Sequence, residues 1–378
     1  MTRCLLRSLF HLLLVGMVGG SAATASAQGS PPLSYTIYDL GPNTTGLSVS
    51  PNGAYVGGYE FTTGAGFLWT GTGGMQTYPD IVTLPVRRFA EPNGMNDSGV
   101  AAGWISEQAY GLQPLPVRWT GTNGATLPLP DGVSIGQAYD INNAGTIVGA
   151  INSVGNWYAT VFSGTGATVL MQQTPAGGIL QFAYGVADNG TVVGQATGTS
   201  GAQTSAYYLL AGATSAVAIP QADVALGVSP SGAAITGYSG TDAFIYTIAT
   251  GSFAALPMLP GTQSAEGRAV NDSGWVVGYA GTAGSIPFLF DGTATYSLQS
   301  LLTGTDASSW DMTTGVTNAA YGISNNGIIV GRAVHNGVSA GFVMVPVPEP
   351  AAVSLTVLSV AALAGVQLLR QRHRHNRV

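Results

Sequence analysis

The chain has no lysine, one cysteine, four histidines and few charges of any kind, only 7% of its 378 residues. Each shortage excludes something. Between residues 28 and 346, Arg87, Arg88, Arg118, Arg268 and Arg332 face sixteen Asp and Glu residues, a net of eleven negative charges. So acidic a body offers no cationic face to nucleic acid. Cys4 stands near the N-terminus, which leaves the remainder without disulfides, a cysteine nucleophile or a thiolate metal site. His335 is the only histidine between residues 28 and 347, too few for a zinc centre. Stability must come from apolar burial and backbone pairing.

What the sequence has is glycine, 55 residues of it, arranged periodically. Seven copies of a short pattern align on Gly53, Gly99, Gly145, Gly190, Gly232, Gly274 and Gly327, at intervals of 46, 46, 45, 42, 42 and 53 residues. In each, an apolar residue four positions earlier (Val49, Met95, Ile141, Val186, Val228, Val270, Ile323) leads into a polar turn. A second apolar run follows, such as Val276-Val277. This is hairpin chemistry: a type I turn and then a left-handed residue, where glycine avoids a Cβ clash. A third run carries aromatics, among them Trp69, Trp119 and Tyr246, and a fourth run closes each of the first six copies. Four strands per repeat at this period predict an all-β, seven-bladed β-propeller. The seventh copy lacks its fourth strand, and Tyr35–Leu40 ahead of the first copy is an unpartnered strand that can supply it and close the ring. A linear β-solenoid is the alternative. Two stretches break the period, Trp104–Leu115 and Ser300–Asn318, and read as loop insertions; the second holds Asp306, Trp310 and Asp311.

The ends read differently. Residues 1–27 combine Arg3 and Arg7, an apolar stretch and Ala25-Ser26-Ala27, the pattern of a signal peptide cut between Ala27 and Gln28. Residues 28–346 are the repeat domain and 347–378 a tail. The tail runs Pro348-Glu349-Pro350, an uncharged apolar helix over 351–369 and an arginine-rich end. Nineteen residues make about 28 Å of helix, enough to span a bilayer with the arginines in the cytoplasm.

This tail resembles the PEP-CTERM sorting signal, and the repeats are similar to the HAF family of extracellular repeats. Ser48 replaces the first glycine of that family's pattern in copy one, Ala187 its asparagine in copy four, and Thr236-Gly237 displaces its last glycine in copy five. The first resemblance implies an exosortase as processing partner in a Gram-negative bacterium, cleavage near Pro348-Glu349-Pro350, and delivery across the inner membrane to the cell surface or an exopolysaccharide matrix. Neither resemblance supplies a catalytic residue or a cofactor.

For chemistry in the body, Asp97, Asp188 and Asp272 offer one carboxylate per turn. Calcium wants several converging oxygens, so these read as turn-closing residues, with no metal and no cofactor expected. Glu91 and Glu266 both stand eight residues before their turn glycines, which places them at one radius around the channel mouth. Arg268 is a ready partner for Glu266. The expected function is a non-enzymatic surface or matrix interaction protein. A polysaccharide-active enzyme using the channel acids, or a sugar-binding lectin using exposed aromatics, are the alternatives.

Overall fold

In the computed structural model the described residues are 34–79, 89–107, 112–198, 204–281 and 285–347. They form seven antiparallel sheets, and in six of them the strands follow chain order from the inner strand outward. Their inner strands are Thr44–Val49, Phe89–Met95, Ile135–Ile141, Leu180–Val186, Val224–Val228, Ala265–Val270 and Ala319–Ile323. The signal segment, the Pro348-Glu349-Pro350 motif and the apolar stretch 351–369 lie outside the described residues. Among those described, no helix is long and apolar enough to cross a membrane.

The ring is closed. Tyr35–Pro42 pairs antiparallel with Val338–Pro346, from Tyr35 opposite Pro346 to Pro42 opposite Ala340, and so supplies the outer strand of blade seven. The chain then turns directly into the inner strand of blade one. A solenoid is thereby excluded, because its first and last repeats would not share a sheet. The blades pack face to face through residues such as Phe67, Trp119, Phe162, Tyr207, Phe244, Phe288 and Phe342, all essentially without solvent contact.

Two glycine positions explain the repeat. All seven turn glycines have φ between +72° and +83°, the left-handed region an L side chain resists. The second position is the third residue of the pairing in strand two, after pairs such as Ile147-Val148 and Val192-Val193. A Cβ on Gly58, Gly103, Gly149, Gly194, Gly237, Gly278 or Gly331 would lie 1.8–2.2 Å from a carbonyl oxygen of the inner strand. That carbonyl always belongs to the residue eight before the turn glycine, and it comes this close because every inner strand carries a β-bulge just beyond it. Blades one and five have turns one residue longer, with Ser50 donating to Tyr55 and Ser229 to Ala234 across the hairpin. The displaced glycine of copy five is therefore a register correction that returns Gly237 to the same carbonyl, and Gly58 does likewise in copy one.

The two period-breaking stretches are not plain loops. The first is a lengthened hairpin, Val100–Glu107 with Leu112–Thr120. The second carries a short helix, Leu298–Leu301, a 3-10 turn, Thr305–Ser309, and a two-residue strand, Trp310–Asp311, that adds to blade seven at His335 and Val334. Leu298, Leu301, Trp310 and Met312 join the core between blades six and seven. This insertion braces the blade in which the two ends of the ring meet.

Candidate functional site

The turn acids bind the ring rather than a metal. In six turns an Asn or Ser three before the glycine closes the turn through its own side chain: Asn96 Oδ1 accepts from the Ser98 and Val100 amides, and Asn271 Oδ1 from those of Ser273 and Trp275; in blade four that place is Ala187, and Asn189 Oδ1 accepts from the Thr191 amide instead. The residue two before the glycine reaches sideways. Asp97 accepts from the Asn52 amide of blade one, Asn143 from Asp97, Asp188 from Asn143, Asp272 from Ser231 and Asn325 from Asp272, all at 2.8–3.0 Å. Where proline occupies this place, its backbone carbonyl accepts instead, Asp188 to Pro230 and Asn325 to Pro51 at 2.8 Å. Because proline has no N–H, the following residue donates onward. The result is a belt of hydrogen bonds through all seven blades. Turn closure is thus the task of Asn96 beside Asp97, of Asn271 beside Asp272 and of Asn189 beside Asp188, correcting the role expected for Asp97, Asp188 and Asp272. Among the described residues no three His, Cys, Asp or Glu side chains converge to hold a metal.

Farther along the inner strands, away from the belt, the channel is chemically different. The bulged residues are Leu47, Asn93, Tyr139, Tyr184, Leu226, Arg268 and Tyr321, one from each blade at the same register break. All are half-buried, and six of them line a cavity of about 150 Å³ on the axis. A bulge re-aims its extra residue out of the ladder. Here it turns that residue toward the axis. One step further out, Tyr59 stands opposite Thr45, Trp104 opposite Glu91, Tyr238 opposite Val224, Tyr279 opposite Glu266 and Arg332 opposite Ala319.

This mouth has two unlike halves. Over blades three and four, Tyr139 and Tyr184 lie 5.1 Å apart, Phe182 stacks on Tyr184 at 5.5 Å, and Trp157 meets Phe182 at 5.5 Å. Glu91 is beside them: burial pushes its carboxyl up to about 7, and its charge acts on both Tyr59 and Tyr139. Burial and the neighbouring Tyr238 push Tyr184 up to about 12, partly offset by Arg268. Over blades six and seven the acid has a cation beside it. Arg268 Nε stands 3.7 Å from Glu266 Oε2, and its guanidinium lies 5.4 Å from the ring centre of Tyr279 and 6.0 Å from that of Tyr321. Glu91 and Glu266 have different neighbours: Trp104 stands opposite Glu91 in blade two, while Glu266 in blade six has Tyr279 opposite and Arg268 beside it.

Deeper in the channel Asp140 replaces the glycine, serine or alanine found at its position in other copies. Its carboxylate accepts from the Ile141 amide at 2.8 Å and the Val186 amide at 2.9 Å, tying blade three to blade four. Burial outweighs these bonds and pushes it up to about 7.

The third-strand aromatics do not form a surface: Trp119 and Tyr246 are buried and Trp69 is packed against the core. The mouth aromatics come from the bulge position and its neighbours. Their only sign in the sequence is tyrosine or arginine six before the turn glycine in four copies, Tyr139, Tyr184, Arg268 and Tyr321.

Two other arrangements have the look of a nucleophile without its chemistry. His335 Nδ1 is 3.0 Å from Asp39 Oδ2, and its Nε2 is 3.1 Å from Ser309 Oγ. That is triad spacing. The single Ser309 proton, however, goes to the Asp306 carbonyl at 2.6 Å, while Nε2 also has the Asn336 amide at 3.2 Å and Trp310 stacked at 4.4 Å. The row ties the closing strand, blade seven and its bracing insertion together. Ser134 and Ser339 each sit in a G-x-S-x-G spacing, but Ser134 immediately precedes a strand and Ser339 lies within one. Neither is on the strand-to-helix elbow that exposes such a serine.

No protein-family model and no curated protein matches the chain. Among solved structures, it is similar to virginiamycin B lyase from Staphylococcus aureus, at 14% identity and a TM-score of 0.47 over 82% of this chain and 99% of that one. The β-propeller domain of the Trilobed protease from Pyrococcus furiosus aligns at 8% identity and 0.48 over 83% and 94%. Puromycin hydrolase aligns at 11% and 0.47 over 84% and 55%. These likenesses concern the fold and not an activity.

Proposed function

We propose that this chain is an exported, non-enzymatic interaction protein that binds saccharide at the aromatic mouth of its channel. In this reading an exosortase processes its tail, and it works at the cell surface or in an exopolysaccharide matrix. The observation that carries the reading is the set of half-buried side chains around the axis: Tyr139, Tyr184, Arg268 and Tyr321 turned inward by the bulges, with Phe182, Glu91 and Glu266 on the inner strands beside them. Sugar rings have apolar C–H faces that stack on aromatics, and hydroxyls that need a few placed polar groups beside them. The tail and signal resemblances support the address.

The test is calorimetric titration of the full exported protein with soluble fragments of its host's polysaccharide. Replacement of Tyr184 by Ala, removing the residue shared by two of the aromatic contacts, should weaken binding about tenfold or more, in line with the cost of a truncated aromatic anchor. Unchanged affinity would overturn this site. A second reading, a polysaccharide-cleaving enzyme, is favoured by Glu91 alone: a carboxyl that holds its proton near neutral pH suits a general acid. Release of reducing ends that stops in Glu91→Gln would establish it.

A further inference from the structure

The two halves of the mouth differ in one respect that bears on the ligand. Glu266 has Arg268 beside it, and Arg332 donates to the Thr317 carbonyl at 3.3 Å while lying over Phe61 at 5.8 Å. Among the described residues Glu91 has no ion-pair or hydrogen-bond partner of this kind, and neither Arg268 nor Arg332 offsets its burial. Glu91 holds the inner-strand position that Gln137 and Phe182 hold in the next two blades, its charge acts on Tyr59 and Tyr139, and Tyr139 is clustered with Phe182 and Tyr184. The Tyr139 hydroxyl donates to Gln137 Oε1 at 2.6 Å, which fixes that ring in place.

A buried carboxylate without a counter-charge is costly, and the cost is relieved by a cation brought by something else. Aromatic faces add an attraction for a positive charge, through the negative face of the ring. A metal ion is a poor occupant, because calcium needs six to eight oxygens and no such cluster stands among the described residues. An organic ammonium uses both features at once. The body's acidic balance also draws a cationic chain toward it.

Building on the saccharide reading above, we infer that the ligand is an amine-bearing sugar whose protonated amino group sits between Glu91 and the Tyr139–Phe182–Tyr184 cluster. Binding keeps all bonds intact and is a recognition event only. Acetylating the amine removes the charge and leaves the ring and its hydroxyls, so the paired ligands separate the two ideas.

The experiment titrates the full protein at pH 7 with a glucosamine tetramer and, separately, with its fully N-acetylated counterpart. The amine form should bind about tenfold or more tightly, and Glu91→Gln, an isosteric change whose folding is checked by its melting temperature, should bring the two ligands to equal affinity. Equal affinity of both for the unaltered protein would overturn the amine inference and leave the saccharide site standing. Tighter binding of the acetylated form would do the same. Binding of neither, with no other saccharide fragment bound, would overturn both. A preference for the amine that survives Glu91→Gln would move the cation elsewhere and so refute the placement.

Discussion

Replacing Gly194 by Ala tests the physical reason for the repeat. Gly194 lies in the second strand of blade four, and an added Cβ would be 1.8 Å from the Phe182 carbonyl oxygen and 3.1 Å from Tyr207 Cε1. The carbonyl cannot retreat freely, because it also accepts from the Tyr207 hydroxyl at 3.0 Å. Relief requires moving the inner strand at its bulge. Overpacking a side chain costs about 1–3 kcal/mol, and a clash with backbone belongs at or above the top of that range. With roughly 2 °C of melting temperature per kcal/mol in a domain this large, Gly194→Ala should melt at least about 6 °C lower. Gly164→Ala is the control: nothing lies within 4 Å of its added Cβ, so it should stay within about 0.5 kcal/mol of the unaltered protein. Calorimetric unfolding of both variants decides. A loss below about 1 kcal/mol for Gly194→Ala would mean that the bulge tolerates a side chain, and that the recurring glycine has some other cause.

Asn143→Ala should weaken the belt. It removes the acceptor of the Asp97 amide and the amide that donates to Asp97 Oδ2 and Asp188 Oδ2 at 3.0 Å. Charge-assisted bonds at an exposed site place the loss at about 1–3 kcal/mol, and a denaturant midpoint that does not move would show these bonds to be incidental. Glu91→Gln should change how stability depends on pH. Because folding raises the carboxyl from 4.5 to about 7, the folded state binds more protons than the unfolded one in that interval. The unaltered protein therefore loses stability as pH rises from about 4.5 to 7, by at most about 3 kcal/mol at this half-buried site. The glutamine variant should match it near pH 4 and exceed it at pH 8, and identical melting curves at both pH values would contradict the burial of this acid.

Blade number, strands per blade and ring closure are legible in the sequence because each follows from spacing. Seven glycines with φ near +80° mark seven turns, and a blade short of one strand implies a donor elsewhere. The belt is harder to see. Asp97 and Asn143 are 46 residues apart, and nothing local marks one as the acceptor for the other's amide. Asp also closes turns on its own, a local role that Asn96 already fills beside Asp97. The insertion at 300–318 was opaque for a related reason: Trp310 among acids reads as a surface loop until its packing partners, Phe342 and His335, are known.

The mouth was the least legible part, and the bulge is the reason. Counting alternate residues along an inner strand assigns faces correctly only while the ladder is regular. At Tyr139, Tyr184, Arg268 and Tyr321 the ladder skips a residue, so strict alternation cannot be carried through. The same skip forces the glycine opposite, since the displaced carbonyl occupies the place of a Cβ. One local feature thus fixes both the invariant part of each blade and its variable part. The glycine recurs in all seven copies because the backbone needs it, while the bulged side chain touches no such constraint and ranges over Leu, Asn, Tyr and Arg. A scaffold that holds seven free choices around one axis can change its ligand without changing its blades. On that argument, exchanging Tyr184 or Arg268 should alter binding while leaving melting close to that of the unaltered protein, the reverse of what Gly194→Ala does.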